Sequence, residues 1–142
     1  MNVLVAEDDP VSRRFLEKIL QNLGHEVTSC PNGAEAFNAF VQSSYSVVIS
    51  DWMMPEMDGL ELCKRIRRAN KLSYAYFIME TAKSNKADVL EAIEAGVDDY
   101  LTKPLNIDDI RERLKAAERN VELHRTTGQP SIQSALTFKN TA

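Results

Sequence analysis

The chain has 142 residues, a length typical of a single domain with a buried core. Hydrophobic residues make up 44% of the sequence and charged residues 27%, an ordinary composition for a globular protein. The net charge of −4 disfavours direct nucleic-acid binding, and no apolar stretch is long enough to indicate a membrane span.

Five short apolar runs alternate with longer amphipathic segments along the chain. The runs are residues 3–6, 27–30, 47–50, 76–79 and 100–102. Most of them show no clear alternation of apolar and polar residues, which is typical of parallel strands covered on both faces. Strands that alternate with helices predict right-handed crossovers and one parallel sheet. The sequence therefore predicts an α/β fold.

The first amphipathic segment predicts a helix that begins after Asp9 and ends near Gly24. Asp9 can cap the helix, Pro10 suits its first position and Gly24 suits its end. Its apolar residues share one helical face: Val11, Phe15, Leu16, Ile19, Leu20 and Leu23. This pattern is typical of an amphipathic helix that packs on a sheet.

Capping residues and apolar stripes predict the later helices. Three helices open at a capping side chain: Asn32 with Glu35, Asp58 with Glu61, and Asn106. The apolar residues assigned to the four later helices are, in order, Phe37, Phe40 and Val41; Leu62 and Ile66; Val89, Leu90 and Ile93; and Ile110, Leu114, Ala117 and Val121. The second helix is expected to bury its three. Gly96 suits the end of the fourth helix, and Asp108 and Asp109 suit the dipole of the fifth.

The pattern ends near Thr126, so residues 1–125 are predicted to form the domain and residues 126–142 a flexible tail or linker. Cys30 and Cys63 have no metal-like or redox spacing and are expected to be two buried thiols. The first residues lack the basic start and cleavage site of a secretory signal. We therefore expect a cytoplasmic location.

Chemically active side chains follow the predicted strands, where open α/β sheets bind ligands. They are Glu7, Asp8 and Asp9 after the first strand, Asp51 after the third, Thr81 after the fourth and Lys103 after the fifth. Clustered carboxylates repel each other, and a hard cation such as Mg²⁺ relieves that repulsion better than zinc does. An ammonium and a hydroxyl beside such a site suit a phosphoryl group, and a carboxylate can form an acyl phosphate.

Four motifs occur in order and at characteristic spacing. They are Glu7-Asp8-Asp9-Pro10; Asp51-Trp52-Met53-Met54-Pro55 with Met57-Asp58-Gly59; Thr81-Ala82-Lys83; and Gly96-Val97-Asp98-Asp99-Tyr100-Leu101 running into Thr102-Lys103-Pro104. With them the chain resembles the CheY-like receiver domains of two-component response regulators, from Val3 to about Leu123. The resemblance implies a flavodoxin-like, doubly wound, five-stranded parallel sheet in the order 2-1-3-4-5 with five helices.

The resemblance also implies a phosphoacceptor and a metal site. Asp51 matches the phosphoacceptor. Glu7 and Asp8 match the family's acidic pair, with Asp8 touching the metal and Glu7 acting largely through water. The backbone carbonyl of Met53 would complete the protein ligands of Mg²⁺ or Mn²⁺. Lys103 matches the ammonium that pairs with the phosphoryl group.

Other matching residues would bind phosphate or move in the switch. Thr81 matches the hydroxyl that moves toward the phosphoryl group, and the backbone groups of Ala82 and Trp52 would assist. Tyr100 matches the aromatic residue that changes between exposed and buried positions. Pro104 matches a proline that follows a cis peptide bond.

The partners implied are a sensor histidine kinase or phosphotransfer protein, and an output partner or downstream domain that reads the surface of the fourth helix, fifth strand and fifth helix. Homodimerisation through that surface is left open. The chain would not be an enzyme, apart from its own phosphotransfer and slow autodephosphorylation.

Three alternatives rank lower. A haloacid-dehalogenase-type enzyme needs an acid two residues after the nucleophile, where this chain has Met53. A flavin-binding module would need a phosphate cradle, and Glu7, Asp8 and Asp9 would repel phosphate. A degenerate receiver that only binds partners is disfavoured because every expected pocket residue is present.

Two charged features are assigned to the surface. Glu80 stands where the family usually has an apolar residue, and we expect it to be solvated or paired with Lys83 or Lys86. Strand alternation turns it away from the direction of Thr81. A basic run on the third helix is predicted to form a solvated face: Lys64, Arg65, Arg67 and Arg68.

Overall fold

Strands and helices alternate along the whole described chain. The computed structural model describes residues 1–69, 73–82 and 86–127. Within them the strands are β1 (Asn2–Ala6), β2 (Glu26–Cys30), β3 (Val47–Asp51), β4 (Tyr76–Thr81) and β5 (Asp99–Thr102). The helices are α1 (Pro10–Asn22), α2 (Gly33–Gln42), α3 (Gly59–Arg68), α4 (Lys86–Ala95) and α5 (Ile107–Thr127).

The strands form one parallel sheet in the order β2-β1-β3-β4-β5, which confirms the predicted topology. Alternate strand residues point to opposite faces, so each face has its own core. Leu4 and Phe77 belong to the core that includes residues of α2, α3 and α4. Val5 and Ile49 belong to the core that includes residues of α1 and α5. The same alternation decides on which face of the sheet a side chain just after a strand lies.

The helix starts agree with the predicted caps. The side chains of Asp9, Asn32, Asp58 and Asn106 accept hydrogen bonds from the backbone N–H groups of Ser12, Glu35, Glu61 and Asp109, at 2.8, 2.8, 2.9 and 2.8 Å. Each bond satisfies an N–H group that the first helical turn would leave unpaired. Gly24 and Gly96 have φ values of +95° and +105° just after α1 and α4.

Several apolar helix residues point to solvent. On α1, Val11 and Phe15 are 77% and 42% exposed, while Leu16, Ile19 and Leu20 are buried. On α2, Phe40 takes the inward position, and the expectation that Val41 is buried is wrong because it is 47% exposed. On α4 the buried residues are Ala92 and Ala95, and Leu90 and Ile93 are exposed. The sheet therefore covers a narrower stripe of α1, α2 and α4 than the apolar pattern suggests.

Arg67 is a structural residue, so its assignment to a solvated face is wrong. Nη1 of its guanidinium donates to the carbonyl oxygen of Ala75 at 2.7 Å. Nε and Nη2 donate to the carbonyl oxygen of Gly96 at 3.0 and 2.9 Å. Nη2 also forms an ion pair with Asp98 at 2.8 Å. Arg67 therefore ties α3 to the segments around β4 and β5. The other three basic residues of the run are exposed, as predicted: Lys64, Arg65 and Arg68.

Cys30 and Cys63 are buried free thiols, as predicted. None of the helices in the described part of the chain is both long and apolar enough to cross a bilayer. Helix α5 extends to Thr127. The predicted tail beyond that point and Lys83 lie outside the described residues.

Candidate functional site

Three acidic side chains meet at the carboxyl edge of the sheet. Glu7 and Asp8 follow β1, and Asp51 ends β3, the strand that pairs with β1. One carboxylate oxygen from each residue lies within 4.8 Å of the others. Glu7 and Asp51 are buried and Asp8 is exposed. The structure therefore brings together the three acids expected to hold a metal.

Lys103 closes the other side of Asp51. Its ammonium lies 2.8 Å from Oδ1 of Asp51, and its backbone N–H donates to the carbonyl oxygen of Thr81 at 3.0 Å. Burial alone would lower the pKa of Lys103, but the hydrogen bond and charge of Asp51, helped by Glu7 and Glu80, outweigh burial and raise that pKa. The bond between Lys103 and Pro104 is cis. Lys103 is therefore a firmly protonated cation at this site.

A close backbone approach fixes the chain just after Asp51. The N–H of Gly59, at the start of α3, donates to the carbonyl oxygen of Trp52 at 2.8 Å. A Cβ atom at Gly59 would collide with the carbonyl oxygen of Asp51 and with the sulfur of Met79. Only glycine fits this contact without a shift of the backbone that carries Asp51.

The backbone N–H of Trp52, expected to contact phosphate, is occupied in this structure. It donates to the carbonyl oxygen of Glu80 at 3.0 Å, which extends the pairing of β3 with β4. A phosphate contact from this group would require that bond to open. The indole of Trp52 is buried, with 2% of the residue exposed, so it reports on its surroundings next to Asp51.

The expectation that Glu80 is solvated is wrong, although the residue does point away from the face of Thr81, as strand alternation predicts. Its exposed fraction is 0%, so it is not solvated, and its carboxyl group faces the carboxyl group of Glu7. Burial, followed by the charge of Glu7, raises the pKa of Glu80. Burial, followed by the charge of Asp51, raises the pKa of Glu7. The strand register carried the missing signal, because Glu80 pairs directly with Asp51.

The donor set fits a divalent cation. Glu7 Oε1 is buried without a hydrogen-bond partner in the described structure, while Oε2 accepts from the N–H of Asp9 at 3.2 Å. The neighbouring carboxylates of Asp8 and Asp51 add hard oxygen donors, and Lys103 is the cation paired with Asp51. Such an oxygen-only set suits Mg²⁺ or Mn²⁺.

Thr81 and Tyr100 lie on the other face of the sheet. Thr81 pairs with Thr102 and Met79 pairs with Tyr100, so all four side chains share one face. Thr81 is 3% exposed and Ala82, the next residue, is exposed. The Tyr100 hydroxyl donates to the carbonyl oxygen of Val89 on α4 at 3.2 Å, which links β5 to that helix.

Comparison with known proteins gives one consistent result. The family model described as "Response regulator receiver domain" matches residues 3–115. The CheY homolog of Campylobacter jejuni, a chemotaxis protein, is 38% identical over 117 residues, which cover 81% of this chain and 90% of that protein. The transcriptional regulatory protein RprY of Bacteroides fragilis is 36% identical over 121 residues, covering 85% of this chain and 50% of RprY.

A solved structure agrees with the sequence matches. The receiver domain of the Francisella response regulator 1452 superposes with a TM-score of 0.77 at 33% identity, covering 84% of this chain and 97% of that structure. Fold, acidic cluster and sequence similarity lead to the same assignment. The chain belongs to the response regulator receiver domain family of two-component signalling proteins.

Proposed function

We propose that this chain is a cytoplasmic phosphorylation switch in which Asp51 accepts a phosphoryl group. The observation that carries the proposal is the environment of Asp51, with two acids on one side and the Lys103 ammonium on the other. The Asp51 residue is nearly buried, with 4% of its surface exposed, so the pocket shields its carboxylate from most of the solvent. Such a site suits a nucleophile that attacks an incoming phosphoryl group.

The transfer step is a displacement at phosphorus. An oxygen of Asp51 forms the new O–P bond while the N–P bond of a phosphohistidine donor breaks, and the leaving imidazole keeps the bond electrons and takes up a proton. The Lys103 ammonium, 2.8 Å from Asp51, is placed to neutralise charge on the phosphoryl oxygens. The hydroxyl of Thr81 and the N–H of Ala82 would supply further donors.

A divalent cation would be held by Glu7, Asp8, Asp51 and the backbone carbonyl of Met53. When bound, Mg²⁺ or Mn²⁺ supplies positive charge that screens the repulsion between the carboxylates and the incoming phosphoryl oxygens. Glu7, Asp8 and Asp51 would provide oxygen ligands from the ends of the neighbouring strands β1 and β3.

The switch would run from Thr81 to Tyr100. Phosphorylation adds about −1.5 to −2 charges at Asp51 and draws Thr81 and Lys103 toward it. Thr81 and Tyr100 share one face of β4 and β5, so a shift of Thr81 changes the space next to the Tyr100 ring. The Tyr100–Val89 hydrogen bond then couples β5 to α4, and the α4-β5-α5 surface would be read by an output partner or domain.

A phosphodonor protein would dock next to the pocket, over the start of α1. Val11 and Phe15 are exposed there, one and five positions after the first residue of α1, which itself follows the acidic loop. A sensor histidine kinase or phosphotransfer protein that delivers phosphate to Asp51 must cover this area. Exposed apolar side chains favour such a contact.

The experiment is phosphorylation by acetyl phosphate. The full chain is incubated with acetyl phosphate and Mg²⁺ and its intact mass is followed, with Asp51→Asn as the matched control. We expect one hydroxylamine-labile phosphoryl adduct that requires Mg²⁺ and is missing in Asp51→Asn. An adduct of equal yield in that variant would assign the chemistry to another residue.

A further inference from the structure

Three carboxyl groups form a row across the sheet. Asp51 pairs with Glu80 in the register of β3 and β4, and Glu7 follows Ala6, which pairs with Ser50, the residue before Asp51. Neighbouring strands lie about 4.8 Å apart, and residues at matching positions point to the same face. Glu7, Asp51 and Glu80 therefore occupy adjacent positions on the face toward α1 and α5.

Glu80 is a fully buried acid that faces another acid. Its exposed fraction is 0%, and neither of its side-chain oxygens has a hydrogen-bond partner among the residues that the structure describes. Glu7 Oε1 is in the same condition. The carboxyl groups of Glu7 and Glu80 interact with each other. Two carboxyl groups that face each other in a buried site repel each other when both are ionised, which makes this arrangement costly.

The position itself does not require a polar residue for the fold. Glu80 lies between Asp51 and Leu101 in the sheet, and Ile78, two residues earlier on the same face, is fully buried in the core. An apolar side chain would continue that core without an unpaired carboxyl group. The acidic side chain therefore carries a cost that packing alone does not explain.

We propose that Glu80 is a fourth carboxylate of the divalent-cation pocket. It would not ligate the ion itself but would influence it through the neighbouring ligand Glu7. This proposal goes beyond the phosphoacceptor function and rests only on its metal site. Glu80 places a further carboxyl group beside Glu7 and Asp51, in the pocket that also holds the ammonium of Lys103. A bound cation would relieve the repulsion among the carboxylates. Glu80 would therefore strengthen cation binding and lower the folding stability of the cation-free protein.

The test compares Glu80→Gln and Glu80→Met with the wild-type full chain. Glutamine keeps the size of the side chain and can donate to Glu7, so it isolates the charge. Methionine also removes the polar group. Glu26→Gln is the matched control, because Glu26 is an exposed acid at the opposite end of the sheet.

The readouts are the Mg²⁺ dissociation constant and the urea midpoint of the cation-free chain. Mg²⁺ is titrated by calorimetry and by Trp52 fluorescence, since Trp52 is the only tryptophan of the sequence. We expect Mg²⁺ to bind about 10- to 100-fold more weakly to both Glu80 variants, the range for residues behind metal ligands. In EDTA, Glu80→Met should unfold at higher urea than wild type, while Glu26→Gln changes neither value.

Opposite changes in affinity and stability distinguish this role from simple packing. A Glu80→Gln affinity within twofold of wild type would overturn the proposal and leave the phosphoacceptor function intact. A wild-type chain that binds no Mg²⁺ would overturn both the proposal and the metal part of the proposed function. The adduct on Asp51 is measured separately, so the two failures can be told apart.

Discussion

The Lys103 ammonium lies 2.8 Å from Oδ1 of Asp51, although 52 positions separate the two residues in the sequence. This contact joins the ends of β3 and β5, which are not neighbours in the sheet. It crosses the end of β4, where Glu80 and Thr81 lie on opposite faces. The pocket thus gathers side chains from four adjacent strands around one nearly buried carboxylate.

Replacing Lys103 by methionine should destabilise the cation-free protein. Asp51 would lose its ammonium partner and remain beside Glu7 and Glu80. About a third of the lysine side chain is exposed, so solvent screening limits the expected loss to about 1 kcal/mol. Urea unfolding in EDTA measures it, and Mg²⁺ should restore much of the lost stability.

An exposed ion pair provides the control for that variant. Arg111 and Asp108 form a pair on α5 at 2.8 Å, with 43% and 91% of their side chains exposed. Arg111→Met should change stability by less than about 0.5 kcal/mol. Equal effects of the two substitutions would contradict the special role of the Lys103–Asp51 pair.

Gly59→Ala should slow the phosphorylation of Asp51 although it replaces none of the acidic residues of the pocket. The added methyl group would collide with the carbonyl oxygen of Asp51, and overpacking of this kind costs about 1–3 kcal/mol. Phosphorylation by acetyl phosphate should slow because the backbone of Asp51 is displaced. Gly24→Ala is the control, since it strains a positive φ where nothing lies within 4 Å of the new atom. A Gly59→Ala chain that is phosphorylated at the wild-type rate would show that the contact does not position Asp51.

Tyr100→Phe should loosen α4 in the unphosphorylated protein. The change removes the hydrogen bond to the carbonyl oxygen of Val89 and should cost about 0.5–1.5 kcal/mol. Amide hydrogen exchange should become faster in α4. Tyr76→Phe removes a hydroxyl that bonds Asp99 at 3.3 Å on the other face, so it should leave exchange in α4 unchanged. Unaltered α4 exchange in Tyr100→Phe would remove this link from the proposed switch.

Phe15→Ser should weaken phosphotransfer from a protein donor only. Phe15 is 42% exposed on α1, so its loss costs little stability but removes an apolar docking contact. With a phosphorylated histidine protein the transfer rate should fall about tenfold, which corresponds to about 1.4 kcal/mol. The rate with acetyl phosphate should not change. Val41→Ser alters a similarly exposed residue on α2 and should leave both rates at wild-type values.

Local features of the fold could be predicted from the sequence. Asp9, Asn32 and Asp58 each cap a helix through an N–H group three residues later, and such short spacings are visible in the chain. The acidic cluster was also predictable, because the carboxyl ends of parallel strands meet at one edge.

Features that depend on distant parts of the chain were not predictable. The burial of Glu80 depends on its register with Asp51 and on Glu7, which chain order alone does not reveal. In the sequence Arg67 looks like the other three basic residues of its helix. Its structural role depends on the path of the chain around Gly96, which brings the carbonyl oxygen of Gly96 within hydrogen-bond distance of the guanidinium. Helical periodicity likewise finds an apolar stripe without showing how much of it the sheet covers.

The central claim is tested most directly by locating the phosphoryl group. The chain is phosphorylated with acetyl phosphate and Mg²⁺ and then treated with borohydride, which reduces an aspartyl phosphate to homoserine with loss of phosphate. Peptide mass spectrometry should find homoserine at position 51 and unmodified aspartate at position 8. Homoserine at Asp8, or a phosphoryl group on a side chain other than Asp51, would contradict the account.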